Sequence, residues 1–407
     1  MDRAVGLPDA GVPVGAAVIS ARNPMKDRVA IAGAATTGFT PHNTQRSPMS
    51  YAAEASIAVL RQCGLSAADV DGICGTIPSA VDVQATLGIP EVTWYANPVV
   101  PFVNQLAAAV SAVHSGLCEV VLAYHAAYRL AWNTAAALKD PFRRGMVLAS
   151  GGALPIPEDV SGGIGYTAWA SRYMHEFGVR KEQFGYIAIN DRSNAARNPA
   201  AAMREPITMD DYLSARMIRW PLCLLDMDVP VDGADAFVIT TAERARDLPL
   251  TPVLVHAVAL GMVEKNVEDQ QESLRHHGQH VVVAALRAKG DFWIDDVDVY
   301  YPYDGFTPIT LNWIENAGWC GPGEAASFIE QHWRQDEGRI LIDGRIPVNS
   351  HGGALSEGAT QGSGHLREAV HQLQGLAADR QVPGARRAIV TAGGFFLNAQ
   401  GVTLRVD

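Results

Sequence analysis

The same short text occurs twice in this chain. Leu60-Arg61-Gln62-Cys63-Gly64 closes an amphipathic stretch and is followed by Asp69-Val70-Asp71; Leu286-Arg287-Ala288-Lys289-Gly290 closes another and is followed, with one inserted residue, by Asp296-Val297-Asp298. In both places glycine stops a helix (predicted over 50–63 and 280–289) and a short apolar strand begins. A second pair keeps the same order. A helix over 102–115 stops at Gly116 before Glu119-Val120-Val121-Leu122-Ala123, and a helix stopped by Gly375 precedes Ala388-Ile389-Val390. A repeat about two hundred residues long is not a solenoid unit. It predicts two copies of one α/β unit, each a sheet covered by helices.

The first copy starts at the strand Val29-Ala30-Ile31-Ala32-Gly33. Residues 1–26, rich in Gly, Pro and Ala, lack the basic start and apolar core of a signal peptide and read as a flexible arm. Residues 27–130 with 226–250 form the first half, and 251–407 the second. Between them, 131–225 is more polar and mostly helical, with helices expected over 168–177, 181–194 and 209–217. Such an insertion reads as a cap over a cleft. At 407 residues and 48% apolar content the chain can bury a large core. Its formal charge of −11 argues against a general nucleic-acid or anionic-membrane binder. The apolar runs are too short to span a bilayer. Five dispersed cysteines without metal-ligand spacing fit reduced thiols in a cytoplasmic protein.

Several local texts then resemble one superfamily. Pro221-Leu222-Cys223-Leu224-Leu225-Asp226 with Val231-Asp232-Gly233-Ala234-Asp235-Ala236 resembles the thiolase segment that returns from the inserted loop region to the core. Val348-Asn349-Ser350-His351-Gly352-Gly353-Ala354-Leu355 resembles the glycine-rich stretch before the thiolase catalytic histidine, and Thr391-Ala392-Gly393-Gly394 the final catalytic loop. Glycines there let backbone N–H groups approach a thioester oxygen that becomes negative, so Gly352, Gly353, Gly393 and Gly394 are candidate wall residues. Tyr303-Asp304-Gly305-Phe306-Thr307-Pro308, Arg172-Tyr173-Met174-His175 and Asn190-Asp191-Arg192 are similar to text of the lipid-transfer-protein subgroup, and within it of the bacterial steroid side-chain aldolases. The resemblance implies a five-layered αβαβα thiolase fold, an acyl-CoA thioester as substrate, a homodimer, and a small OB-fold partner that sometimes carries a zinc ribbon.

The usual thiolase groups do not follow. The nucleophile position falls in Asn97-Pro98-Val99-Val100, the Gly-His-Pro histidine aligns with Ala359, and the terminal cysteine with Thr391. Without a thiolate, Claisen condensation through an acyl-cysteine loses its nucleophile. Retro-aldol cleavage of a β-hydroxyacyl-CoA, a steroid side chain included, needs a base, an enolate-stabilising site and a proton donor, but no cofactor. Tyr303 is the candidate base; the plainer reading is a strand-end tyrosine packing its ring. Asp304 has an orienting role, because its charge would raise the phenol pKa. The second tyrosine of the aldolases aligns with Ala359, which leaves water, Glu357 or His365 as proton donor. His351 lines the site or supports a turn, and Phe306 belongs to the substrate wall. The alternative function is a catalytically silent acyl-CoA- or lipid-binding homologue; residual thiolase chemistry through a displaced cysteine is a third reading.

Other features carry less. Arg275-His276-His277-Gly278-Gln279-His280 lacks a matching Cys or carboxylate pattern, so no metal is expected. Ala32-Gly33-Ala34-Ala35 lacks dinucleotide-loop spacing, which removes a nicotinamide cofactor. Trp169, Tyr173 and Phe177 at helical spacing read as core. Arg143, Arg144, Arg192 and Arg197 lie in the insertion without identifying a CoA phosphate site.

Overall fold

The computed structural model describes residues 19–42, 44–129, 164–263, 274, 277–394 and 398–407. Arg143 and Arg144, like residues 275–276 of the histidine-rich stretch, lie outside them.

The first half contains β1 (Val29–Thr40), α1 (Pro48–Gln62), β2 (Gly72–Cys74), α2 (Ala80–Leu87), β3 (Trp94–Ala96), α3 (Phe102–His114) and β4 (Val120–Tyr128). The described part of the insertion holds α4 (Ile164–Phe177), α5 (Lys181–Ala196), α6 (Met209–Ser214), β5 (Met217–Arg219) and β6 (Leu222–Cys223). The chain re-enters the core as β7 (Asp232–Thr241) and α7 (Ala242–Ala245). The second half runs β8 (Val253–Gly261), α8 (Gly278–Lys289), β9 (Val299–Tyr301), α9 (Thr307–Ala317), α10 (Ala325–Gln331), β10 (Trp333–Arg334), β11 (Arg339–Ile342), β12 (Ile346–Pro347), α11 (Ser363–Gln374), β13 (Arg387–Ala392) and β14 (Ala399–Arg405).

Strand order shows the duplication directly. The large sheet reads β3-β2-β4-β7-β1-β8-β14-β13-β9. From its centre outward, β1-β7-β4-β2 in one half is matched by β8-β14-β13-β9 in the other, with the same parallel and antiparallel sense at each step. The halves meet where Ala30 and Ile31 pair with Leu254 and Val253. The repeated aspartates do the same work in each copy. Asp71 accepts the N–H groups of Glu119 and Val120 at the start of β4, and Asp298 those of Arg386 and Arg387 at the start of β13. Each thereby satisfies backbone donors that the strand pairing leaves over.

Packing places α3 and α11 in the middle. Phe102, Leu106, Val110, Leu366, Val370 and Leu373 form one core with strand residues of both halves, including Val121, Phe237, Val390 and Val402. α1 covers the outer face of the first half through Ala52, Ala55, Val59 and Leu60, and α8 the outer face of the second through Val282 and Leu286. The result is helix, sheet, helices, sheet, helix.

The local signals explain most boundaries. Ser47 caps α1 by accepting the Ser50 N–H at 3.2 Å, Pro48 occupies its first turn, and Gly64 ends it at φ +68°. Gly116 and Gly375 both stand at φ +74°. Gly290 differs: it sits at φ −99°, and its N–H still bonds Leu286 O. The arm expected over 1–26 is tied down from Asn23, whose side chain donates to His256 O and Lys289 O. In the insertion, the helix expected to 217 ends at Ser214, and Met217–Arg219 pairs with Leu222–Cys223 as a hairpin. Trp169, Tyr173 and Phe177 pack in sequence, with ring centroids 4.9 and 5.0 Å apart, as a core stripe.

Candidate active site

The functional text gathers where β9 ends. Tyr303-Asp304-Gly305-Phe306 follows that strand and leads into α9, whose first turn takes Pro308. The next segment inward, Ser350 to Glu357, makes a wide π-type turn over Gly353–Glu357. α11 then delivers His365 and Arg367. These three segments bring Tyr303, Asp304, His351, Glu357 and His365 together.

Asp304 is the centre of the arrangement. It is fully buried and accepts N–H groups from Ala354 at 2.8 Å and Leu355 at 2.9 Å, while His365 Nε2 lies 2.7 Å from its Oδ1. Burial alone would raise its pKa. The His365 contact and charge, an interaction with the Asp191 carboxyl and the Ala354 N–H outweigh burial and bring it below the ordinary value. The glycines serve this carboxylate. Gly353 stands at φ +60°, and a Cβ there would strike the Asp304 side chain. Gly352, at φ +106°, donates its N–H to Asn349 O and packs on Ala195 of α5. The N–H groups beside this pair are thus spent on Asp304, and the expected role of Gly352 and Gly353 as an open wall gives way to shaping the aspartate's cradle.

Tyr303 is nearly buried, its ring centroid 5.6 Å from that of His365, with its backbone N–H donated to Thr391 Oγ1 at 3.2 Å. Burial raises the phenol pKa, and the Asp228 and Asp304 charges add to this, opposed by Arg129. The phenol is neutral at neutral pH. Arg129, just after β4, donates to Asp228 at 2.7 Å, and the Asp228 N–H bonds Gly305 O at 3.0 Å, so the two ends of the insertion meet beside the tyrosine segment.

His351 and His365 are buried, edge to face, with centroids 4.6 Å apart. Neither nitrogen of His351 nor Nδ1 of His365 has a hydrogen-bond partner among the described residues. Burial, then the neighbouring His365, Arg367 and Arg380, hold His351 well below its ordinary pKa and keep it neutral. Glu357 Oε2 lies 3.9 Å from His351 Nε2; its Oε1 accepts from Asn198 at 2.7 Å and from Arg367. Burial pushes this carboxyl up to about 7 despite Arg367. The pair is asymmetric for a physical reason: Arg367 is shared with Asp235, so two carboxylates hold the guanidinium above its ordinary pKa against burial, while one shared cation does not offset the desolvation of Glu357.

Phe306 stacks on Tyr166 of α4 at 4.4 Å, and a Cβ on Gly394 would meet the Tyr166 hydroxyl. Phe306 and Gly394 therefore share one aromatic wall. Gly393, at φ +76°, lies too close to Asn398 O to carry a side chain, and its carbonyl accepts from Trp313 Nε1 at 3.2 Å.

The position expected for a nucleophile is closed by backbone contacts. Asn97 Oδ1 accepts from Ala80 N at 2.8 Å, Val99 O from Asn104 Nδ2 at 2.9 Å, and Pro98 O from Thr76. Cys74 and Cys118 are buried and pushed up to about 12, too high for a thiolate at neutral pH. Among the described residues no cluster of three His, Cys, Asp or Glu could hold a metal ion, and no helix is long and apolar enough to cross a membrane.

Asp191 and Asp235 lie in segments that carry the family resemblance but receive no site role from the sequence, and Arg129, Asp228 and Arg367 are not marked by it at all. Asp191 is fully buried beside Asp304. The polar run Asn190-Asp191-Arg192-Ser193-Asn194 in a helix was the available signal, because a polar run without a solvent face must be hydrogen-bonded inside.

Residues 264–405 match the family described as "Thiolase C-terminal domain-like", and human mitochondrial 3-ketoacyl-CoA thiolase superposes on 94% of this chain with a TM-score of 0.64 at 14% identity, which shows a thiolase fold. The 17-hydroxy-3-oxo-4-pregnene-20-carboxyl-CoA lyase of Mycobacterium tuberculosis is 32% identical over 391 residues, 91% of this chain and 97% of that protein. The steroid side-chain-cleaving aldolase of Thermomonospora curvata is 32% identical over 401 residues, 93% of this chain and 98% of the relative. The solved Ltp2-ChsH2(DUF35) aldolase superposes with a TM-score of 0.81 at 31% identity, covering 94% and 99% of the two chains. This chain belongs to the steroid side-chain-cleaving aldolases of the thiolase superfamily.

Proposed function

We propose that the protein is a carbon–carbon lyase that cleaves a β-hydroxyacyl-CoA carrying a bulky, steroid-like group, by a retro-aldol reaction and without a cofactor. The observation that carries this reading is a neutral Tyr303 set against a histidine that a buried aspartate holds, in a site with no available thiolate.

In the reaction the β-hydroxyl O–H and the Cα–Cβ bond break. A ketone or aldehyde forms, and the electron pair passes into the thioester enolate, which takes a proton at Cα. A buried phenol with a raised pKa is a poor free base, but it can relay. Tyr303 Oη accepts the hydroxyl proton as its own proton is delivered to Cα, so the tyrosine ends neutral and the proton count closes. One tyrosine then serves both ends of the transfer, which accommodates Ala359 in place of a second. His365, fixed by Asp304, orients the phenol, and Phe306 with Tyr166 packs against the apolar part of the substrate.

The relative solved with a DUF35 protein supports a working unit that includes such a partner. A homodimer, an OB-fold in the partner and a cytoplasmic setting complete the proposal. The test is a cleavage assay with the co-expressed partner and a bulky β-hydroxyacyl-CoA, following ketone or aldehyde and short acyl-CoA. Tyr303→Phe should lower the rate by at least about 100-fold, the scale of one general acid–base group, with acyl-CoA binding intact. Tight acyl-CoA binding without product from the parent protein would leave the silent binding subunit as the better description.

A further inference from the structure

Two buried carboxyl groups meet in this site, and they come from different parts of the chain. Asp304 follows β9 in the core; Asp191 lies on α5 in the insertion. Both are fully buried, and their side chains are within hydrogen-bonding reach. Asp191 Oδ1 accepts from Asn190 Nδ2 at 2.9 Å. With both carboxyls ionised, Asp191 Oδ2 is buried with no donor among the described residues. Two oxygens that face each other in a buried site need a proton between them.

The surrounding charges leave that proton on the pair. The cations on α5 and at its N-cap are engaged elsewhere: Lys181 with Asp226, Arg180 at the N-cap with Glu330, and Arg192 with Ser356 Oγ and Glu205 O. On the elements packed against α5, Arg339 pairs with Glu337, while Glu357 is held by Arg367 and Asn198. Asp304 already accepts from two N–H groups and from His365, so it is the better-stabilised anion. Burial and the Asp304 charge push the Asp191 pKa well above its ordinary value, which agrees with this division.

We infer that Asp191 is a positioning residue that, as a neutral carboxylic acid, donates a hydrogen bond to Asp304 and so holds His365 against Tyr303. It rests on the lyase reading for its effect on rate, while the shared proton stands independently. The insertion thus does more than cover the cleft, because α5 supplies the donor that completes the Asp304 shell.

An amide reproduces the donor of a protonated acid but cannot ionise. Asp191→Asn should therefore keep cleavage within a few-fold of the parent, whereas Asp191→Leu should lose at least about 100-fold through misplacement of the His365 shell. In the parent, kcat/KM should fall on the alkaline side as Asp191 ionises beside Asp304, and Asp191→Asn should lack that limb. Difference infrared spectroscopy of the intact complex at neutral pH supplies a readout apart from activity. The parent should show a protonated-carboxyl component that is lost in Asp191→Asn and kept in Glu357→Gln, which separates it from the buried Glu357 carboxyl raised to about 7. No component that Asp191→Asn removes, an Asn variant as impaired as the Leu variant, or an unchanged alkaline limb overturns the assignment. If the band behaves as expected but the parent cleaves no β-hydroxyacyl-CoA, the lyase reading and the positioning role fall and the shared proton remains.

Discussion

Glu357 makes the pH dependence of stability a test of the site's electrostatics. Its carboxyl is fully buried and its pKa is raised from 4.5 to about 7, with desolvation as the largest cause. The folded protein holds this proton more tightly than the unfolded chain, so the contribution is fully present below the unfolded pKa and is lost as pH rises through the folded one. From about pH 5 to about pH 8 the linkage relation gives a loss of roughly 2.5 kcal/mol from this group. Glu357→Gln should remove that slope. The amide oxygen can keep the contacts of Oε1 with Asn198 and Arg367, and the new N–H group would occupy the place of Oε2, which has no hydrogen-bond partner among the described residues and lies 3.9 Å from the open Nε2 of His351. Arg367 retains Asp235 at 2.8 Å. The assay is denaturant unfolding of parent and variant at matched protein concentration across that pH range. The variant should gain on the parent steadily with pH, by about 2.5 kcal/mol in total. Parallel stability curves, or a gap that widens toward acid, would refute a desolvated Glu357 and leave Arg367 as a full neutraliser.

Other substitutions probe the supports of the site. Gly353→Ala forces a side chain into a left-handed conformation, a cost of roughly 1–2 kcal/mol, and drives it into Asp304; thermal unfolding should show the loss, and the cleavage rate should fall further than stability explains. Asp226 accepts from Tyr212 and Thr307, each at 2.7 Å, and pairs with Lys181, joining the insertion to the helix after the Tyr303 segment. Asp226→Ala should cost about 3–5 kcal/mol by leaving the mostly buried lysine unpaired, measured by denaturant unfolding, and Lys181→Met in the same chain should recover part of it.

The duplication was legible because its signals are local. A glycine after an apolar helical stripe and an aspartate before a strand keep their meaning wherever the chain goes, and Asp71 and Asp298 confirm it with equivalent bonds. Gly290 shows the limit, since an equivalent glycine closes its helix without the left-handed turn. Tyr303, Asp304, His351 and Glu357 were found together because they lie on two short segments of the second half. Asp235 and Arg367, or Arg129 and Asp228, pair across large sequence separations, and no periodicity reports such a pairing. Glycine in these segments signals close approach, but the group that approaches Gly353 is Asp304, which composition alone does not indicate.

The two halves share a scaffold but not a chemistry, and the reason lies at equivalent strand ends. After β2 the chain continues Gly75-Thr76, where a Cβ on Gly75 would strike the Tyr124 ring, and Gln105 Nε2 bonds Thr76 Oγ1 at 2.9 Å. Tyr124 itself donates to Pro78 O at 2.5 Å, so its hydroxyl is engaged within the first half. After β9 the equivalent turn presents Tyr303 and Asp304 instead, beside His351, whose two nitrogens have no partner among the described residues, and His365, open at Nδ1 alone. The first half still reaches this site: Asp235 of β7 holds Arg367, and Arg367 holds Glu357. A duplicated fold can thus turn over its reaction by changing one strand-end segment and the loops that face it, while the sheet order and the two central helices remain. The cysteine-dependent reaction needs a group at the mouth of α3, on the first half; the proposed retro-aldol reaction draws on groups that all follow β9 or lie on the insertion. Loss of the nucleophile and gain of the Tyr303 cluster are therefore separable changes on opposite halves of one cleft.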